Sequence, residues 1–343
     1  IDAVVIATPD HAHSHPARSA MQLDKHLYLE KPLAHTIWEV RRLIEEAKKH
    51  DVVTQMGNQG HSTRGTALAR DWIRDGAIGQ VREVWAWIPA GVGTEAYREE
   101  PAPGPISDSL HWQLWLNRAP YEVFRPKFHP NDWRGWCRFG EGQVGDECCH
   151  FLDLTYYALA PDLDATVEVD LGQKWPVAES YPFDQTVTWR FPGGDGKPPF
   201  RLRLFVGRKP PRPEHLEPDR ELYDRGVVLV GDKGSLMHGS HCDDPQILPE
   251  ERMHEVGQPP KRSPRIGKNQ DHWTSWVRAC RGEARALSSF EYGGGLTEMV
   301  LLAELALRSE DKKIKWDPEA MQTDDPVANR HVRPPAPRQG WEI

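Results

Sequence analysis

Apolar runs of strand length alternate with segments of helical period through the first 78 residues, and that order leaves few folds open. Residues 3–8 form a near-continuous apolar run, the pattern of a strand covered on both faces, and Thr8-Pro9-Asp10 ends it. Ser14 to Asp24 reads as a helix whose inner stripe is Ala17, Ala20, Met21 and, at its margin, Leu23. His26 to Leu29 is a second strand. Thr36 caps the next helix, in which Ile37, Val40, Leu43, Ile44 and Ala47 recur at helical spacing. Val52 to Met56 is a third strand, ending at Gly57-Asn58-Gln59, and residues 65–75 form a helix closed by Gly76. Such alternation implies a parallel sheet.

The second strand ends abruptly in an acid, a base and a proline: Glu30, Lys31, Pro32. Proline forbids regular continuation of the strand. Glu30 and Lys31 are therefore presented at a strand's carboxyl end, the edge where open α/β sheets bind ligands. A surface ion pair at a loop is the competing reading.

After residue 78 the pattern changes. Val81 to Ile88 alternates as a strand, residues 97–145 are rich in Pro, Gly and Trp and read as ordered loops with short helices, and 146–160 is helical. Strands then follow without intervening helices, at 164–171, 184–191, 199–206, 227–230 and 234–238, with a turn at Gly231-Asp232-Lys233-Gly234. Residues 208–225 and 243–268 read as solvated loops, 270–281 and 294–308 as helices, and the tail from 316 as a surface strap. The fold class is α/β plus α+β: a parallel piece over 1–78, then a domain over 79–343 built on a large, mostly antiparallel sheet.

Composition narrows the function classes. The net charge of −8 argues against nucleic acid as the main partner, and no apolar run is long enough to span a membrane. Five cysteines without a CxxC spacing indicate neither a disulfide framework nor a zinc knuckle, and Cys148 and Cys149 read as packing residues. The chain starts in mid-strand at Ile1 without an initiator Met. It reads as a fragment whose targeting signals are lost with its start; the cytoplasm is the default compartment, and export stays open.

Gly145 to Asp153 is the second key segment. Asp146 reads as an N-cap, and on a helix positions 146, 150 and 153 share one face, which puts carboxylate, imidazole and carboxylate together. A carboxylate four residues before a histidine can orient it and raise its basicity. An N-cap beside a satisfied buried histidine is the plainer alternative. His11-Ala12-His13-Ser14-His15 offers a rival site, in which His11, His13 and Asp146 or His150 bind a divalent ion for hydrolase or isomerase chemistry; a helix starting at Ser14 and His15 would break the alternation. Trp112, Trp115, Trp133 and Trp136 either stack on sugar rings or pack against the sheet.

ATPDHAH at 7–13, the Asp24-Lys25-His26 turn, EKP at 30–32, MGNQ at 56–59, GAIG at 76–79, NDWRGW at 131–136, GDECCHFLD at 145–153, EYGGG at 291–295 and RQGWE at 338–342 occur in one order. Together they resemble the Gfo/Idh/MocA oxidoreductases, in particular the large sugar-related bacterial branch, over nearly the whole chain. The resemblance implies a Rossmann-like NAD(P)-binding domain, of which residues 1–78 are the carboxyl-terminal part, and a sheet-rich domain that forms the substrate cavity and a homo-oligomer face. It implies oxidation of a secondary alcohol of a sugar, cyclitol or glycoside. His150 would take the hydroxyl proton, Lys31 would hydrogen-bond the same oxygen, and Asp146 would orient the base. Thr8, Pro9, Asp10, His13, Glu30, Lys31, Asn58 and Gln59 match cofactor-side positions, and Trp133 and Arg134 the nicotinamide end of the cleft. Asp153, Trp112 and Trp136 are candidate substrate contacts. The family's Gly-rich phosphate loop should lie before residue 1; neither Gly57-Asn58-Gln59-Gly60 nor Gly293-Gly294-Gly295 has its pattern, and NAD cannot be told from NADP. Two alternatives keep this fold: glycoside cleavage by transient oxidation and elimination without net redox change, and a non-catalytic carbohydrate-binding relative.

Overall fold

The structure is a computed structural model that describes residues 1–91, 98–175, 177, 179–194, 196–266 and 271–342. Residue 97 of the expected loop region, residues 267–268 of the second solvated loop and residue 270 of the expected helix lie outside the described residues. Strands β1 (Ala3–Ile6), β2 (His26–Leu29) and β3 (Thr54–Met56) form a parallel sheet in that order, linked by α1 (Ser14–Met21) and α2 (Ile37–Lys49). Thr36 caps α2 as its sequence position implies, its hydroxyl accepting from the Glu39 amide at 3.3 Å. α3 (Arg64–Arg74) follows and stops at Gly76, whose φ of +77° suits glycine.

β4 (Val81–Ile88) opens the second sheet. Then come the short α4 (Trp112–Leu116), α5 (Gly142–Phe151), α6 (Asp153–Leu159), β5 (Thr166–Leu171), β6 (Gln185–Phe191), β7 (Phe200–Val206), β8 (Gly226–Gly231), β9 (Ser235–His238), β10 (Gln246–Leu248), α7 (Glu250–Val256), α8 (His272–Cys280), α9 (Phe290–Arg308), β11 (Lys313–Asp317) and β12 (Gln322–Thr323). The nine strands run in the order β10-β9-β8-β4-β7-β6-β5-β11-β12, and only β4 and β7 pair in parallel. The α/β plus α+β expectation thus matches the architecture. No helix among the described residues is long and apolar enough to cross a membrane.

Several local expectations are corrected. α1 ends at Met21, and Leu23 lies exposed beyond it, because Asp24 turns the chain at φ +56°. The 243–268 stretch holds β10 and α7: Ile247 and Leu248 are fully buried against β9, while α7 has no fully buried residue and lays Met253 and Val256 partly against the core. The strap expected from 316 is in part a strand. Ile314 and Trp316 alternate inward along β11, which extends the large sheet beside β5.

α9 joins the two sheets. It is apolar on nearly every side, as a helix buried all round must be. Three glycines let it approach its neighbours: a Cβ on Gly293 would stand 2.9 Å from the Met56 side chain, on Gly294 2.5 Å from Ile44 and on Gly295 1.9 Å from the Tyr156 hydroxyl. β3, α2 and α6 are thereby packed on one helix. α8 is fastened to β3 by polar contacts. Gln55 donates to the His272 carbonyl at 2.6 Å, and the His272 ring has Nε2 2.7 Å from the Met56 carbonyl and Nδ1 2.6 Å from the Ser62 hydroxyl. That pattern selects one neutral tautomer, Nε2–H donating and Nδ1 accepting.

Two outcomes follow from this packing. A Cβ on Gly65, in the first turn of α3, would stand 1.8 Å from the Cys242 carbonyl oxygen. Backbone cannot swing aside as a side-chain tip can, so Gly65→Ala should destabilise the protein by about 1–3 kcal/mol in urea unfolding. Burial pushes the His272 pKa down to about 4, below its ordinary value near 6.5 in an unfolded chain. The native ring therefore binds fewer protons, so its contribution is full above about pH 6.5 and is lost as pH falls towards 4. Urea unfolding at a series of pH values should show wild type losing stability relative to His272→Gln over that window, by up to about 1.4 kcal/mol per pH unit. Parallel curves would remove this role.

Candidate active site

β2 ends where the sequence places it, and Lys31 leaves the strand end towards α5. Its Nζ donates to the Asp146 carboxylate at 2.6 Å and also to the Asp146 main-chain oxygen. The lysine side chain is largely buried, and the Asp146 side chain is about a third exposed. Burial alone would lower the Lys31 pKa; the Asp146 carboxylate outweighs it, and the net shift is upward. Burial likewise works against ionised Asp146, but Lys31, and behind it Arg134 with Nε at 3.5 Å, hold its carboxyl below the usual range. Both groups are ionised at neutral pH.

Asp146 is not the N-cap. α5 starts four residues earlier, at Gly142 with φ +61° and Glu141 as cap residue, so Asp146 is interior to the helix and its carboxylate is free to face Lys31. The helix expected over 146–160 is two helices broken at Leu152. Asp153 therefore leaves the face shared by Asp146 and His150. Its buried carboxylate accepts from Asn58 Nδ2 at 2.7 Å and Tyr292 Oη at 2.8 Å and faces His61 Nδ1 at 3.0 Å, an internal clasp between β3, α6 and α9.

His150 lies one turn after Asp146. Its Nδ1 is buried without a hydrogen-bond partner among the described residues. Burial, then the charge of Lys31, push its pKa down to about 3, so the ring is neutral. The His241 ring packs beside it, centroids 4.6 Å apart. His241 lies on the turn after β9, which rests on Gly60 and Gly65. Sequence reasoning missed it, because no periodicity or motif marks that turn.

The remaining sequence candidates separate into two groups. Thr8 is exposed at the end of β1, with Pro9 half-buried behind it, and its hydroxyl donates to the Ala12 carbonyl at 3.1 Å. Glu30 is half-buried against Gly57, where a Cβ would stand 2.3 Å from its carboxylate. Gln59 Nε2 donates to the Tyr28 hydroxyl at 3.1 Å. Asp10 is buried, and burial raises its pKa to about 8 despite Lys31 nearby. By contrast His13 has its ring nitrogens 2.8 Å from the Pro32 and Thr8 carbonyls, and those of His11 face the Phe139 and Trp115 carbonyls at 3.2 and 3.0 Å. The His13 ring braces the ends of β1 and β2, the His11 ring ties the segment after β1 to α4 and Phe139, and among the described residues no group of three or more His, Cys, Asp or Glu is arranged to hold a metal ion. Trp112 and Trp136 lie inside an aromatic cluster with Phe128 and Phe139, their faces covered by protein. Trp133 is buried under the Arg134 guanidinium, 4.3 Å from its ring centre. A cavity of about 400 Å³ opens against Asp146 and Arg134 and is lined further by Asn131, Gln143, Glu147 and Tyr181.

Comparison with known proteins agrees with this layout. Residues 1–58 match the model of an oxidoreductase family described as an NAD-binding Rossmann fold, and residues 81–192 match its C-terminal alpha/beta domain. A levoglucosan dehydrogenase of Pseudarthrobacter phenanthrenivorans is 37% identical over 157 residues, 46% of this chain and 33% of the relative. A D-xylose 1-dehydrogenase [NADP(+)] of Haloarcula marismortui is 34% identical over 79 residues, 23% of this chain and 22% of the relative. The chain thus spans about a third or less of the length of the curated relatives it matches. Among solved structures, a levoglucosan dehydrogenase in complex with NADH and levoglucosan superposes with a TM-score of 0.57 at 18% identity, covering 88% of this chain and 76% of the other. The WlbA dehydrogenase from Bordetella pertussis, in complex with NADH and UDP-GlcNAcA, does so at 0.56 and 17%, covering 88% and 74%. Residues 1–58 and 81–192 thus match, in chain order and on a shared fold, the two domain models of the Gfo/Idh/MocA oxidoreductase family.

Proposed function

We propose that this chain serves NAD(P)-dependent oxidation of a secondary alcohol on a sugar, cyclitol or glycoside, with Lys31, Asp146 and His150 around the reacting carbon. The observation that carries this reading is the buried Lys31–Asp146 pair at the end of β2, with the unpartnered imidazole nitrogen of His150 one turn along α5. A neutral imidazole is the form a general base needs. Its low basicity means that the hydroxyl must be acidified as the proton leaves, and the Lys31 ammonium is the group that does so, by stabilising the developing negative oxygen. Asp146 keeps that ammonium charged and aimed, a role towards Lys31 rather than towards His150.

The residues fit the nicotinamide end of the cofactor. Thr8 and Glu30 stand at the ends of β1 and β2, Gly57 leaves room for the Glu30 carboxylate, and Asn58 Oδ1 is buried without a partner among the described residues. Thr8, Glu30 and Asn58 would hold it there, with Arg134 over Trp133 walling the cleft. When bound, the nicotinamide supplies the hydride acceptor. Asn131, Gln143 and Tyr181 would position the sugar in the cavity beside Asp146. The polar outer side of the large sheet, with Glu83, Arg201 and Arg203, would serve as a homo-oligomer face.

His150→Ala should lower turnover by about 10²–10⁴-fold, the usual worth of a positioned base, while circular dichroism and Tm stay unchanged. Retained activity would remove His150 from the base role. Lys31→Met should remove turnover as well. Product analysis of a wild-type reaction distinguishes net NADH formation, expected here, from a cleaved glycoside with none.

A further inference from the structure

A second cavity of about 400 Å³ lies away from the Lys31 site, between the start of α2, the segments 118–122 and 137–139, the end of α9 and the tail at 330–335. None of Lys31, Asp146 and His150 lines it. Its walls carry five arginines and no lysine. Two arginines are neutralised within the wall: Arg308 pairs with Glu304 at 2.5 Å and Arg138 with Glu122 at 3.2 Å. For Arg118, Arg330 and Arg333 no ion pair is formed among the described residues.

Arg118 is the informative one. Its Nε and Nη1 are buried and have no hydrogen-bond acceptor among the described residues. Buried guanidinium donors without acceptors are costly, and a native structure normally supplies a partner. The remaining wall carboxyl, Glu39, gives Arg118 no hydrogen bond: it accepts from the Thr36 hydroxyl at 2.9 Å, the Arg118 charge acts on it without contact, and even with Glu39 ionised five arginines face three wall carboxyls. The cavity therefore holds an excess of positive charge in planar, forked donors. That is the chemistry that matches phosphate oxygens two at a time. The volume is in the range of small-molecule sites and exceeds what inorganic phosphate alone would fill, and Phe139, Pro334 and Pro335 offer apolar wall for a carbon body.

We propose that this cavity binds a phosphomonoester of monosaccharide size, with Arg118 on the phosphate at the buried end and Arg330 and Arg333 closing over it from the tail. The test uses the full chain and glucose 6-phosphate as probe, with glucose and inorganic phosphate as controls, in isothermal titration and thermal-shift experiments. Saturable binding of the sugar phosphate is expected, with a rise in Tm, at least tenfold tighter than inorganic phosphate and with no response to glucose. Arg118→Met should weaken it at least tenfold. Should that variant fold poorly, the exposed pair Arg330→Gln and Arg333→Gln together should weaken it by a similar factor with an unaltered Tm of the free protein. No binding of the sugar phosphate, equal affinity for inorganic phosphate, or binding that survives the substitutions would overturn the proposal.

Discussion

The contact on which the rest of the structure depends is the pair between Lys31 and Asp146, 115 positions apart in the chain. Lys31 stands at the end of the middle strand of the parallel sheet, and Asp146 on α5, a helix packed against α9. Each group alone would be a poorly solvated charge. Together they are ionised and hydrogen-bonded, and Arg134 adds a second cation on the open side. A partly buried charge keeps its place only with such a partner. The pair therefore ties the end of β2 to α5 and contributes to the field in which His150 sits.

Around that pair the chain places braces rather than further reactive groups. His13 holds the ends of β1 and β2 by facing their carbonyl oxygens, and His11 faces those of Trp115 and Phe139. Asp153 gathers Asn58, His61 and Tyr292 into a buried clasp. α9, narrowed by its three glycines, keeps β3, α2 and α6 at close distance behind the site.

Much of the fold was legible because burial and period are local. Thr36 as a cap, the 26–29 strand and the Val81–Ile88 strand fall where side-chain chemistry puts them. The misread elements share one cause. Asp146 resembles a helix start by residue type, yet the helix begins at Gly142, where a φ of +61° turns the chain into it, and a Cβ on Gly145 would run into the Glu141 side chain. β10 and β11 are short, and whether three or five residues join a sheet depends on whether a neighbouring strand offers an open edge. Trp112 and Trp136 gave no sign in the sequence that one aromatic cluster would enclose both.

The sequence by itself determined the alternation of the first three strands with their helices, the parallel pairing of those strands, and the chemical types offered at the end of β2, Glu30 and Lys31, and along α5, Asp146 and His150. Those follow from hydrophobic period, proline and glycine placement and motif order, all of which act over a few residues. Only the tertiary structure decided partnership: that the Asp146 carboxylate hydrogen-bonds Lys31, that Asp153 turns inward, that His241 lies against His150, and that Arg118 shares a cavity with a tail more than two hundred residues away. Partnership is decided by which distant groups share a low-dielectric space, where an unmatched charge or donor is expensive and a matched one is not. That selection operates only after the chain has closed on itself.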